Sequence, residues 1–475
     1  MKDAVLVLDC GATNVRAIAV SAEGRILSSR ALPNASSPDP DLPGGRIWDH
    51  ERIWRDFSSC AQGVAGEIGP GRIGAITVTT FGVDGTVVDR DGAPLHPVIS
   101  WQCERTRDVM DEVHAALPGI YARCGLQPFP FNTAYKLAWL RKHRPGLLDR
   151  AHAWLFISDL FLHRMTGAFA TDVTMAGTSM LTDLATRDFA LETLRALDLA
   201  AELFPPLTEP GAPVGDLLPR AASALGLPEG LPVVSAGHDT QFALFGSGAG
   251  ENEPVLSSGT WEILMVRSRG IRATEDLRAN GVTIELDAEP GLLDPGVMWL
   301  ASGLVERLRR LAFGELEGDA AYEAMISEGA GAGPGSGGLR FSEDLLDDAE
   351  RRSGLRPGIS RGRMARALFE NLALRTSDAL ALLEEAGGFR AASLLCVGGG
   401  SRNRLWNQIR ADVLDRPLRL VDRKETTVLG AACFALPATG AFRDAREARA
   451  AARIAPLVLE PGPESPFYAD LRPGA

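Results

Sequence analysis

The feature that most constrains this chain is a pattern it writes twice. "AVLVLDCGATNVRAIAVSAEGRIL", Ala4 to Leu27, reads as an apolar strand, a small polar turn around Gly11, a second strand, a turn and a third strand. Far downstream, "EPVLSSGTWEILMV", Glu253 to Val266, repeats the logic: apolar strand, Gly-Thr turn, apolar strand. Such an echo points to a duplicated domain with one polar turn per half. A chain of 475 residues has room for two or three domains with large cores.

Between and after the echoes, strands alternate with helices. "GAITVTTFGVDGTVVDRDG" reads as a strand pair with a turn at "RDG". "NTAYKLAWLRKHRPGLL" has helical spacing at Tyr135, Leu137, Trp139 and Leu140 and stops at Pro145. The Gly-rich "GAGAGPGSGG" reads as a surface loop. "MARALFENLALRTSDALALLEEAGG" places Leu368, Leu372, Ala379 and Leu383 on one helical stripe, with Gly387 as the stop. "SLLCV" follows as a buried strand, "GGGSRN" as a turn and "RLWNQIRADVL" as a helix. The expected class is α/β with two similar lobes.

Composition narrows the function. A net charge of −12 argues against a general nucleic-acid or anionic-membrane binder. An anionic substrate would need a local device: a metal, backbone amides or an isolated Arg. Six scattered cysteines without a CxxC pair, and seven histidines without ligand spacing, point away from disulfides and zinc. The apolar run at the start is too short for a signal peptide. "TTVLGAACFALPATGA" comes closest to a membrane span, but Pro437 and Gly440 end it early. The expectation is a soluble cytoplasmic protein.

Five short motifs can carry chemistry. In "DCGATNVR", Gly11 permits a tight turn, successive amides and the Thr13 hydroxyl can donate to phosphate oxygens, and Asp9 at the strand end can hold Mg²⁺ through waters. The plain alternative is a hairpin with a polar turn. "SSGT", Ser257 to Thr260, gains weight as the echo of that turn. In "GGGSRN", Gly398 to Asn403, glycines before a helix N-terminus allow close approach of a nucleotide. The GxxxxGK[ST] phosphate loop is absent, so phosphate chemistry would use another scheme. In "TTFGVDG", Asp84 follows a buried strand and can accept bonds from vicinal sugar hydroxyls; alternatively it caps a turn. In "VVSAGHDTQFALFGSGA", His238 and Asp239 sit inside an apolar run, where an unpaired charge would cost several kcal/mol.

The order DxGxT, GVD, GHD, SSGT, GGG resembles that of the FGGY carbohydrate kinases, which share their fold with hexokinase and actin. The resemblance runs essentially end to end, through "TTFGVDG", "ISWQCERT", "FNTAYKLAWL", "AHAWLFISDLFLHRMTG", "TDVTMAGTS", "SAGHDTQFALFG", "NEPVLSSGTWEILMVRS" and "VGGGSRNRLWNQI". It implies two similar ribonuclease H-like or actin-like lobes, 1–245 and 246–475, with a cleft between them. It implies ATP-dependent phosphorylation of a small ketose with Mg²⁺ or another divalent cation. By the same resemblance Asp239 is the general base and Asp9 the metal-linked carboxylate. Gly82, Asp84, Asn132, His238 and Thr240 line the sugar site. Ala12, Thr13, Asn14 and Arg16 form the first phosphate turn. Thr260 belongs to the second phosphate turn, and Gly398, Gly399, Gly400 and Asn403 face the nucleoside. Phe131 is a further candidate beside Asn132. A rhamnulokinase would usually read WGVDF and SHDTAS here; it or another ketose kinase is the alternative within the family. A non-catalytic sugar sensor and an actin-like filament or chaperone protein are the readings from other classes. No nucleic-acid or membrane partner is expected, and self-association stays open.

Overall fold

The first strand, β1 (Ala4–Cys10), is buried at every residue. Its side chains alternate between two faces, and both faces find apolar cover. Leu6 and Leu8 pack with Trp54, Phe57 and Phe161, while Val5 and Val7 pack with Phe242, Phe245, Val428 and Leu429. Cover on both sides is why the strand reads as a continuous apolar run rather than as alternating polar and apolar residues. Full burial of each such Val or Leu contributes about 1.5–3 kcal/mol.

The computed structural model describes residues 2–421, 425–453 and 455–472. They form two compact units. The first comprises 1–248, 273–294 and 425–454; the second comprises 249–272, 295–424 and 455–475. The first unit thus draws two segments from the second half of the sequence. One is the helix Thr426–Ala435, whose apolar residues cover the β1 sheet beside the helix Asp239–Gly246.

In the first unit β1 pairs antiparallel with β2 (Asn14–Ser21), which pairs antiparallel with β3 (Ile26–Pro33). On its other side β1 pairs parallel with β4 (Ile73–Thr80), and β4 pairs parallel with β6 (Pro232–His238). The edge strand β5 (Pro213–Asp216) runs antiparallel to β6. The order is β5-β6-β4-β1-β2-β3. In this register Asp9 lies opposite Arg16 and beside Thr79, at the end where β4 and β6 also finish.

The second unit repeats the plan strand for strand. β7 (Val255–Ser258), β8 (Trp261–Met265) and β9 (Leu293–Leu300) form the antiparallel meander. β10 (Leu394–Val397) and β11 (Leu418–Leu420) add parallel to β7, and β12 (Leu457–Leu459) closes antiparallel.

Two local expectations change. Ile73–Thr80 and Gly85–Val88 are both strands, but they do not pair with each other; Gly85–Val88 pairs with Ala153–Phe156. The first enters the central sheet because it is buried at every residue, with the Thr77 and Thr79 hydroxyls bonded to β6 carbonyls. The Gly-rich stretch is only partly a loop, since the helix Asp319–Ala332 runs through its first glycines. Gly329 explains this: a Cβ there would stand 3.0 Å from Leu405 Cδ2, so close packing on neighbouring elements outweighs poor helix propensity. Among the described residues no helix is long and apolar enough to cross a membrane.

Candidate active site

The first polar turn links β1 to β2. Gly11 N donates to Asn14 O at 2.9 Å, and Asn34 clamps the turn from outside, its Nδ2 donating to Gly11 O at 2.7 Å. Thr13 and Asn14 are exposed and Ala12 partly so, which leaves this turn open to a ligand. Cys10 in the same turn is fully buried, and burial pushes its thiol well above the ordinary range. That is the inert form of a cysteine.

Asp9 is almost wholly buried, and Arg16 reaches it from the facing strand with Nε 2.8 Å from Oδ2. Arg16 Nη1 also donates to Glu425 Oε2 at 2.6 Å, at the start of the helix Thr426–Ala435. Burial pushes the Asp9 carboxyl up to about 6 against the pull of Arg16, and the Asp239 and Glu425 carboxylates add to the rise. Both Arg16 contacts fall on Oδ2.

The GVD turn is strained. Val83 has φ of 63°, a region that β-branched residues avoid. Three partners hold it there: its N–H donates to Thr178 Oγ1 at 2.9 Å, and its carbonyl accepts from Thr133 Oγ1 and Lys136 Nζ at 2.9 and 3.0 Å. Strain over-determined in this way is typical of functional turns. Gly82 is next to His238, and a Cβ on it would lie 3.0 Å from His238 Nε2.

Asp84 departs from the expected sugar contact. It has no exposed surface, and its two oxygens are taken by the protein. Lys136 Nζ donates to Oδ1, while Trp48 Nε1 and the Trp101 amide donate to Oδ2 at 2.6 and 2.9 Å. Burial raises the Asp84 carboxyl and lowers the Lys136 ammonium, and their mutual attraction opposes both. The carboxylate therefore anchors the turn from behind. Asn132 stands at the N-cap position of the helix Thr133–His143 without making a side-chain capping bond; its Nδ2 donates to Gln127 O at 3.3 Å, and its buried Oδ1 has no hydrogen-bond partner.

At the end of β6, Asp239 opens a helix. Its side chain is 32% exposed, so it is not a charge sealed in a core. The Thr240 hydroxyl donates to its Oδ1 at 3.3 Å, and His238 Nε2 stands 3.4 Å from the same oxygen. Burial of the surroundings raises the Asp239 carboxyl, with His238 opposing. On the other side of the ring, His238 Nδ1 faces Glu285 Oε2 at 3.5 Å, and Gln241 Nε2 donates to that oxygen.

In the second unit the β7–β8 turn and the glycine triplet form one structure. A Cβ at Gly398 would stand 2.7 Å from Ser258 O, and one at Gly400 2.0 Å from Ser258 Oγ. Thr260, Gly398 and Gly399 are exposed. Asn403 caps the helix Arg404–Leu414, its Oδ1 accepting from Trp406 N at 3.0 Å. Beneath lies a fully buried pair, Glu262 and Arg410. Glu262 accepts from Ser258 Oγ at 2.6 Å and from Trp299 Nε1 at 3.0 Å, which fixes the Ser-Gly-Thr turn.

The sequence matches a known family over most of the chain. Residues 4–246 match the N-terminal domain, and residues 255–439 the C-terminal domain, of the FGGY family of carbohydrate kinases. The chain belongs to that family. It is 47% identical to the L-fuculokinase of Escherichia coli (strain K12), covering 94% of this chain and 95% of the relative. It is 41% identical to the L-fuculokinase of Haemophilus influenzae, covering 94% of this chain and 97% of the relative. In fold it resembles the crystal structure of xylulose kinase from Rhodospirillum rubrum, with a TM-score of 0.86 and 24% identity over 98% of this chain and 96% of that one. Sugar kinases of the FGGY family use ATP, typically with a divalent cation.

The supporting residues were invisible in the motifs. Lys136, Glu262, Glu285, Arg410 and Glu425 carry no spacing signature, because each meets its partner through tertiary contact. Val83 gave one weak hint: a β-branched residue between Gly82 and Asp84 in a turn.

Proposed function

We propose that this FGGY kinase transfers the γ-phosphoryl group of ATP to the 1-hydroxyl of L-fuculose, giving L-fuculose 1-phosphate and ADP in L-fucose degradation. The observation that carries the choice of sugar is the 41–47% identity to L-fuculokinases over 94% of the chain.

In this reading Asp239 accepts the proton of the attacking hydroxyl as the new O–P bond forms and the bond to the ADP oxygen breaks. A loose phosphoryl transition state gains more from positioning and electrostatics than from an early strong base. The turn residues Ala12, Thr13 and Asn14, with the Thr13 hydroxyl, hold phosphate oxygens, with Arg16 alongside. Thr260, Gly398, Gly399 and Gly400 are the nucleotide contacts of the second unit. Asn403 keeps its capping bond and contributes there through Nδ2. Gly82, Asn132, His238 and Thr240 face the sugar. Asn132 suits the role because its buried Oδ1 lacks a donor, which a hydroxyl would supply.

Asp9 fits a magnesium ion bound chiefly through nucleotide oxygens and water, the usual manner for Mg²⁺ with ATP. Its Oδ2 is held by Arg16, its Oδ1 remains for a ligand, and the neighbouring carboxylates favour added positive charge. Such an ion would neutralise charge on the phosphates. We place the protein in the cytoplasm, a reducing compartment that suits six buried cysteines.

A coupled ADP-release assay across L-fuculose, L-rhamnulose, D-xylulose and glycerol tests the sugar. L-Fuculose is expected to have the highest kcat/KM. A higher value for L-rhamnulose would overturn the sugar assignment and leave the ketose kinase standing.

A further inference from the structure

His238, in the candidate sugar site, is set between two carboxylates of different elements. Asp239, next in the chain, faces Nε2 at 3.4 Å. Glu285 reaches in from the strand Thr283–Leu286, distant in sequence but part of the same compact unit, and faces Nδ1 at 3.5 Å. Gln241, one turn into the Asp239 helix and nearly fully buried, donates from Nε2 to the Glu285 oxygen that faces the ring. The His238 amide donates to Thr174 Oγ1 at 3.0 Å, so the backbone beneath the ring is pinned as well. Gly82 approaches the same edge of the ring as Asp239: a Cβ there would stand 3.0 Å from Nε2 and 3.1 Å from Cδ2.

We propose that Glu285 is a positioning residue for phosphoryl transfer: its carboxylate, clamped by Gln241 and within ion-pair distance of Nδ1, keeps the His238 ring beside Asp239. The proposal rests on the reading of Asp239 as proton acceptor. Asp239 must be ionised to take a proton, and burial works against that. A cationic ring beside it favours the ionised form, and Glu285 favours the cationic ring. The directions agree. Burial alone would lower His238, yet Glu285 foremost, then Asp239 and Gln241, raise it above its ordinary value. Burial would raise Glu285, yet His238 and Gln241 bring it below its ordinary value. Glu285 also repels Asp239 directly, but that effect is smaller than the support Asp239 receives from His238. Among the charged groups around this cluster, Asp9 on β1, with its partners Arg16 and Glu425, interacts electrostatically with Asp239, and Asp172 lies behind Gly237 bonded to Ser235 and Thr174.

The test is Glu285→Gln in the full chain. The imidazole titration of His238 is followed by NMR without substrate, its signal assigned by its loss in His238→Gln. The pH profile of kcat is measured with saturating ATP and ketose. Expected are a His238 midpoint about one pH unit lower and an acid limb of kcat about one unit higher. In the His238→Gln background, Glu285→Gln should leave the acid limb where it is. Gln241→Met, which keeps the charge but removes the clamp, should move both readings the same way by less; it carries the test if Glu285→Gln fails to fold. An unchanged His238 midpoint, or an equal loss of kcat at every pH in a folded variant, would overturn the proposal. Inactivity of the wild type toward every ketose would instead overturn the functional reading, while the NMR titration would still report the coupling of Glu285 to His238.

Discussion

At the scale of single residues, the carboxylates were legible and their employment was not. Asp9, Asp84 and Asp239 each stand out in the sequence as acidic groups at the ends of apolar strands. Only the structure separates Asp239, a third exposed, from Asp84, sealed behind Trp48 and Trp101. Strand-end position alone does not reveal which way a side chain turns, nor that Lys136 lies across the GVD turn. The separation changes what a mutation should do. Asp84→Ala leaves Lys136 buried without its counter-charge, which typically costs about 3–5 kcal/mol. Equilibrium denaturation should show that loss directly, and weaker sugar binding should follow from a loosened Gly82–Asp84 turn. A variant of normal stability with a raised KM for the ketose alone would contradict this and return Asp84 to direct sugar contact.

At the scale of elements, periodicity marked the strands of both echoes and the helices Thr133–His143, Arg361–Gly387 and Arg404–Leu414; it did not mark the helix His50–Ile68, and close packing was not legible at all. The Asp239–Gly246 and Thr426–Ala435 helices cross at their glycines. A Cβ on Gly430 would lie 1.9 Å from Phe242 O, and one on Gly246 would lie 2.0 Å from Thr426 O. Both obstacles are backbone, which cannot swing aside as a flexible side chain would. In the sequence these glycines look like ordinary small residues in apolar runs, because the reason for them lies on another helix. Gly430→Ala should therefore destabilise by about 1–3 kcal/mol through overpacking. Gly66, exposed in the helix His50–Ile68 with open space around it, serves as the control. Gly66→Ala should stabilise by about 0.4–1 kcal/mol. Thermal unfolding of the two variants reads both signs; a Gly430→Ala protein as stable as the wild type would show that the crossing can relax.

At the scale of the whole molecule, the written repeat became a repeat of topology. Each unit has a three-stranded meander, two parallel strands and an antiparallel edge strand in the same order, and each places a Gly-bearing polar turn between its first two strands. The duplication was legible because burial on both faces writes the same apolar strands around each turn. The segments 273–294 and 425–454 were not legible as parts of the first unit, since nothing local marks which core a strand or helix will join. The proposed reaction moves phosphate from ATP to a ketose hydroxyl, with Asp239 as proton acceptor. The most direct measurement follows L-fuculose, ATP and Mg²⁺ by ³¹P and ¹³C NMR with the wild type and with folded Asp239→Asn. One product is expected, phosphorylated on the C1 oxygen and formed in step with ADP, with a rate about 10²–10⁴-fold lower in the variant. Phosphate on another oxygen, or an Asp239→Asn rate close to that of the wild type, would contradict it.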